Sequence, residues 1–244
     1  MKKILFLLFA VIAFNVTSQE NVLLRYNFKK GDVYEIEIKM TQEVGVFMAQ
    51  TTGLVMTQTT TSADNDVFVN EGKIDKMTFN MLQGGNTTNY DSSKKEEDLD
   101  DTGKIMKQQM DPILSSVITT KSNEIGEIID ISVEPNNPQT SQLTNQSSSI
   151  AYPKEAVKVG SEWSSTKEES GMTIKLTYKV LSISKTNVEL GVTGEVSGLA
   201  NGTASGNVSV DRVSGFPIKS KIEMKMETQG QKINITTENI ATKK

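Results

Sequence analysis

Hydrophobic and polar residues alternate with a period of two over much of the chain. Tyr34, Ile36, Ile38 and Met40 alternate with Glu35, Glu37 and Lys39, which gives one apolar and one charged face to an extended segment. The pattern recurs at Met77-Thr78-Phe79-Asn80-Met81 and at Ile222-Glu223-Met224-Lys225-Met226. Such segments predict half-buried antiparallel strands. Further strands are predicted over Val44 to Met48, Gly53 to Thr60, Val67 to Val69, Ile125 to Val133, Thr173 to Ser184, Val188 to Ser197, Gly206 to Val213 and Lys232 to Asn239. Turn-forming clusters separate most of them, among them Asp64-Asn65-Asp66, Asn70-Glu71-Gly72, Gly84-Gly85-Asn86 and Lys185-Thr186-Asn187.

The period changes once. Between Gly103 and Thr119, Met106, Met110, Ile113, Leu114 and Val117 share one helical face, which predicts a helix over about 103–119. Pro112 interrupts it and predicts a kink or two short helices, with Asp111 capping the second. Ahead of it, the charged connector Lys94 to Asp101 reads as a loop. After it, Pro135 to Ser149 is rich in Asn, Gln, Ser, Thr and Pro and reads as a polar linker.

These stretches divide the chain into two β-meanders, about 22–93 and 152–240. Each opens alike: Phe28-Lys29-Lys30-Gly31-Asp32-Val33-Tyr34 has the layout of Val157-Lys158-Val159-Gly160-Ser161-Glu162-Trp163. Related meanders and an unrelated reuse of a Lys-x-Gly turn both account for the echo. The fold class expected is mainly β, or β-dominated α+β: a strongly curved antiparallel sheet or open half-barrel with one helix packed on it. Residues 19–244 form a single domain in this reading.

Residues 1–18 read as a signal peptide. Lys2 and Lys3 precede the apolar run Ile4 to Phe14, and Val16-Thr17-Ser18 suits a cleavage site. The run falls short of the roughly 20 apolar residues of a permanent span. A lipid anchor after the cut requires cysteine, and the chain has none. The expected product is exported, in the periplasm or outside the cell, soluble and not membrane-anchored. Loss of the leader removes two lysines and makes the formal charge of −4 more negative. That balance argues against nucleic acid as a partner.

Histidine is also absent, which excludes Ser-His-Asp and Cys-His catalysis and the usual zinc sites. No phosphate-binding glycine motif occurs, and Gly194 to Gly206 has the composition of a flexible turn. Carboxylates such as Glu35, Glu37 and Glu195 fall on charged strand faces, where solvation explains them. The acidic run Glu96 to Asp101 lacks the spacing of a tight calcium loop. The chain is expected not to be an enzyme and to use no cofactor and no metal.

Methionine is the positive signal. Met40, Met48, Met56, Met77, Met81, Met224 and Met226 all occupy predicted strand positions, where β-branched residues are the ordinary choice. Unbranched, polarisable side chains suit a face that adapts to apolar ligands, and equally suit the filling of irregular gaps in a core. Trp163 opens a strand and is expected to anchor the core with its indole N–H bonded near the rim.

Tyr26 to Tyr34 and Tyr152 to Trp163 resemble segments of an uncharacterised family of exported β-rich proteins of Bacteroidota. Val210-Asp211-Arg212-Val213-Ser214-Gly215-Phe216-Pro217-Ile218 is similar to that family's stretch before its last hairpin. The resemblance implies no catalytic residue. More remotely, one helix against a curved sheet is similar in architecture to periplasmic half-barrels that carry lipoproteins, and fold alone does not fix function. Two functions are weighed: a non-catalytic binding protein of the cell envelope, holding a lipid-like or other apolar ligand on the Met-lined face, and a structural or protein-interaction module with an envelope protein partner.

Overall fold

A computed structural model describes residues 20–138, 140, 149–169 and 171–244. The predicted signal peptide and most of the polar linker lie outside the described residues. The strands are β1 (Val33–Val44), β2 (Met48–Asp64), β3 (Val67–Gln83), β4 (Asn86–Asp91), β5 (Val117–Asn123) and β6 (Ile128–Glu134) in the first half. The second half contributes β7 (Glu162–Glu169), β8 (Met172–Ile183), β9 (Asn187–Gly198), β10 (Asn201–Asp211), β11 (Pro217–Thr228) and β12 (Gln231–Lys243). All join one antiparallel sheet in the order β6-β5-β3-β2-β1-β12-β11-β10-β9-β8-β7, with β4 paired to the far part of β3. The first and last strands meet at its centre, Tyr34 opposite Lys243 and Val44 opposite Ile233. Strands β6 and β7, consecutive in the chain, are its two edges, so the sheet stays open. The expected β-dominated, curved antiparallel sheet with one helix is the architecture observed among the described residues.

Several boundaries differ from the sequence reading. The helix α1 spans Asp101–Leu114 rather than 103–119, and Asp100 caps it by accepting from the Gly103 amide at 2.7 Å. Pro112 sits in its last turn, so a single helix forms and Asp111 caps nothing. Val117 belongs to β5, where the run Val-Ile-Thr-Thr favours a strand and pairs with β3 and β6. Val44 to Met48 is not a strand, because Gly45, Val46 and Phe47 form the β1–β2 turn. Ile125 to Val133 begins as a turn at Gly126. The charged connector contains a short 3₁₀ turn, Glu96–Asp98, and buries Leu99.

Within Gly194 to Gly206 the turn falls at Leu199 and Ala200, and Gly194 and Gly206 lie outside it, in the strands expected. They are strand residues of β9 and β10. An added Cβ at Gly206 would meet Ile222 Cδ1 at 2.8 Å, and one at Gly194 would meet Leu176 Cδ2 at 2.7 Å. Glycine serves there to let neighbouring side chains lie across the sheet surface.

The two Lys-x-Gly turns are built alike. Gly31 and Gly160 have φ of 91° and 88°. Asp32 N–H donates to Lys29 O, and Ser161 N–H donates to Lys158 O, both at 2.9 Å. The side chains of Asp32 and Ser161 accept from the amides of Lys29 and Lys158 in return. Each turn then bonds to a neighbouring strand, Gly31 N–H to Thr60 O and Gly160 N–H to Val180 O.

Candidate functional site

Strand register places the apolar phases of all these strands on one surface. Tyr178, Val192, Gly206, Ile222, Thr237, Met40, Thr52 and Phe79 stand opposite one another in successive strands from β8 to β3. Directly opposite residues share a face of a sheet. This is the inner face. At one end of it, two extended segments fill the space. Residues 20–28 contribute Val22, Leu24, Tyr26 and Phe28, and residues 149–159 contribute Ile150, Tyr152 and Val157. They pair with each other through Val22 and Val157, each donating to the other at 2.8 Å.

Around these segments stand Tyr34, Phe68, Tyr178, Val180, Val188, Leu190, Val208 and Val210 from the strand ends. Aromatic rings dominate: Phe28 meets Tyr34, Phe68 and Phe216 edge-on, and Trp163 stacks on Tyr178 at 5.4 Å. The Trp163 indole N–H donates to Ala151 O at 2.9 Å, as a core anchor should. Burial pushes the phenols of Tyr26, Tyr152 and Tyr178 above their ordinary value of 10.0. Arg25 ties the segments together, donating to Glu124 Oε1 at 3.1 Å and to the carbonyls of Pro153 and Lys154 at 2.7 and 2.6 Å.

Beyond this plug the face is less covered. All seven predicted methionines lie on it and all are half-buried. Met224 stands opposite Ile235, which stands opposite Gln42, and the row continues through Gln50 to Met81. In the next row Met226, Ile233, Val44 and Met48 are aligned. Met77 is opposite Leu54, and Met40 opposite Thr52. These rows run toward the hairpin tips, where Val46 is 94% and Phe47 66% exposed. The helix flanks the face at β3 and β4. There Tyr90 is buried opposite Phe79, and its phenol is raised first by that burial and then by the Asp111 carboxylate.

A cavity of about 330 Å³ lies between the plug and the methionine rows. Its volume is at the lower end of the roughly 300–1,000 Å³ typical of small-molecule sites. The walls are Phe28, Ile36, Ile38, Leu54, Met56, Ile74, Ile118 and Phe216, with the uncharged polar residues Gln58, Asn70, Thr120, Ser122, Ser220 and Asn239 among them. Of the seven methionines only Met56 lines this cavity.

Sequence reading overlooked its polar members. Asn239 falls in the inward phase of β12 with Ile233 and Ile235, so a polar residue at an apolar position was the available signal. Asn70 is held by the Thr60 hydroxyl at 2.7 Å. Asn239 donates to Ser220 Oγ at 3.1 Å, while its Oδ1 is enclosed and receives no hydrogen bond. Among the described residues, no group of three or more acidic side chains could hold a metal. No helix there is long and apolar enough to cross a membrane.

A model described as a family of unknown function (DUF6263) matches residues 137–217. No curated protein matches the chain. Among solved structures the chain is similar to a lipovitellin described for its lipid–protein interactions, with a TM-score of 0.56 and 11% identity over 89% of this chain. It spans only 25% of that longer protein, and the likeness is one of fold. A porin mutant of Rh. blastica covers 86% of this chain and 99% of its own at 10% identity, but the TM-score of 0.20 carries no argument.

Proposed function

We propose that this chain is a non-catalytic, exported binding protein of the cell envelope that holds an apolar or amphipathic ligand on the inner face of its sheet. The observation that carries the proposal is the unequal filling of that face. Methionine and isoleucine rows stay half-buried beside a cavity of about 330 Å³, while the same face is closed by aromatic residues at its other end. Apolar surface left in contact with water is unfavourable by about 25 cal/mol per Å², and a ligand that covers it recovers that energy.

Methionine adapts to ligands of varied shape because its side chain is unbranched and polarisable. The fold is shared with part of a lipovitellin, a protein described for its lipid interactions, which supports a lipid-like ligand class for this one. Export rests on the order of charged, apolar and small residues in positions 1–18.

Native mass spectrometry of the full protein, purified under mild conditions from the envelope fraction of cells that export it, tests the proposal. A lipid-like adduct released by organic extraction is expected. Recovery of only unliganded protein, together with failure to bind the neutral dye Nile red, would overturn it.

A further inference from the structure

The cavity walls carry hydrogen-bonding groups but no charge. No Asp, Glu, Lys or Arg lines it. Gln58 and Thr120 line one side of it, and neither side chain makes a hydrogen bond among the described residues. On the other side Ser220 and Asn239 stand opposite each other on β11 and β12, with the Asn239 Oδ1 lacking a donor. An enclosed carbonyl without a donor is destabilising, because it has given up its water without replacing it. A bare hydrocarbon in the cavity would leave these groups unmet, and a carboxylate would bring a charge with no cation to pair with it.

Resting on the binding function proposed above, we infer that the cavity receives the neutral, hydroxyl-bearing end of an amphiphile, whose hydrocarbon part lies along the methionine rows toward the hairpin tips. A hydroxyl both donates and accepts, so it can accept from the Gln58 amide or the Thr120 hydroxyl and give its proton to the Gln58 carbonyl, or to Asn239 Oδ1 once that enclosed amide turns toward the cavity. The polar end goes inward because uncharged polar side chains gather most densely there. The rows beyond set Met40, Met224, Met226, Ile233 and Ile235 beside Gln42, Gln50 and Thr52, of which Gln50 donates to Thr52. Discrimination by unmet buried polar groups is stronger than discrimination by apolar shape, so the choice of head group is where specificity resides.

Competition against Nile red in the full-length protein separates the outcomes, with 1-decanol, decane and decanoate as probes at pH 8. Decanol is expected to displace the dye at concentrations about tenfold or more below those of decane and decanoate, the size of effect that one well-made buried hydrogen bond gives. Asn239→Leu is expected to abolish that preference, bringing decanol and decane to within about threefold of each other. Gln58→Leu makes the same test from the opposite wall if the first variant does not fold. Equal displacement by decanol and decane, a preference for decanoate, or an alcohol preference that survives in the folded variants would overturn the inference while leaving the apolar binding function standing. Absence of dye binding and of displacement by every probe would overturn both.

Discussion

The two ends of the inner face belong to the same sheet and the same alternating phase, yet they end in opposite states. At the plugged end Val188, Leu190 and Val210 are 0% exposed beneath residues 20–28 and 149–159. Farther along the face, on β1, β2 and β11, Met40, Met48, Met224 and Met226 remain half-buried. The residue types differ to match. Aromatic and β-branched side chains with few rotamers fill the plugged end, whereas flexible methionines occupy the uncovered end. The comparison teaches that one sheet supplies both a core and a binding surface, and that what separates them is whether a second segment of the chain covers the face.

Breaking the plugged end has the largest expected effect. Leu190→Ala removes a fully buried side chain from the centre of the aromatic and aliphatic cluster and should lower unfolding stability by about 2–5 kcal/mol in urea titrations. A change near zero would mean that this end is not the folding core.

Alkaline pH probes the same region without mutation. Burial raises Tyr26 and Tyr152 above 10.0, so in the unfolded chain these phenols lose their protons at lower pH than in the folded one. Their contribution is therefore fully present below about pH 10 and is lost as pH rises beyond it, by about 1.4 kcal/mol per pH unit for each phenol that stays protonated only when folded. Stability measured by urea titration between pH 8 and 11 should be level at first and then fall, and Tyr26→Phe should make the fall shallower. A Tyr26→Phe profile that keeps the full slope would place that phenol in contact with water.

The smallest stability effect is expected at the uncovered end. Met224→Ala and Met226→Ala, each half-buried, should cost less than about 1 kcal/mol apiece, below the usual range for a fully buried methionine. The pair should nevertheless weaken Nile red binding several-fold. Loss of stability as large as that of Leu190→Ala would show that these side chains are packed core.

Much of this architecture was legible in the residues. Tyr34, Ile36, Ile38 and Met40 announced β1 and its inward phase, and Ile222, Met224 and Met226 did the same for β11. The seven methionines could be assigned to strands, but strand register is what puts all of them on one face. Strand β5 was hidden because Val117 extends the helical periodicity of α1, and only pairing with Lys73 and Glu134 draws it into the sheet. Why Gly194 and Gly206 must be glycine was hidden for a related reason. Composition shows their flexibility, but the side chains of Leu176 and Ile222 lying across them are contacts between strands.

Legible in the residues alone were the local alternation that makes strands, the turns at Gly31 and Gly160, and the lack of histidine and cysteine that removes whole classes of chemistry. Those are properties of short stretches, where side-chain phase and backbone preference act within a few residues. The folded chain alone brings β1 and β12 together at the centre of the sheet, closes one end with residues 20–28 and 149–159, and gathers Gln58, Asn70 and Asn239 around a cavity. The reason is physical: these arrangements depend on which distant segments cover which part of a common apolar face, and each segment alone would accept more than one covering.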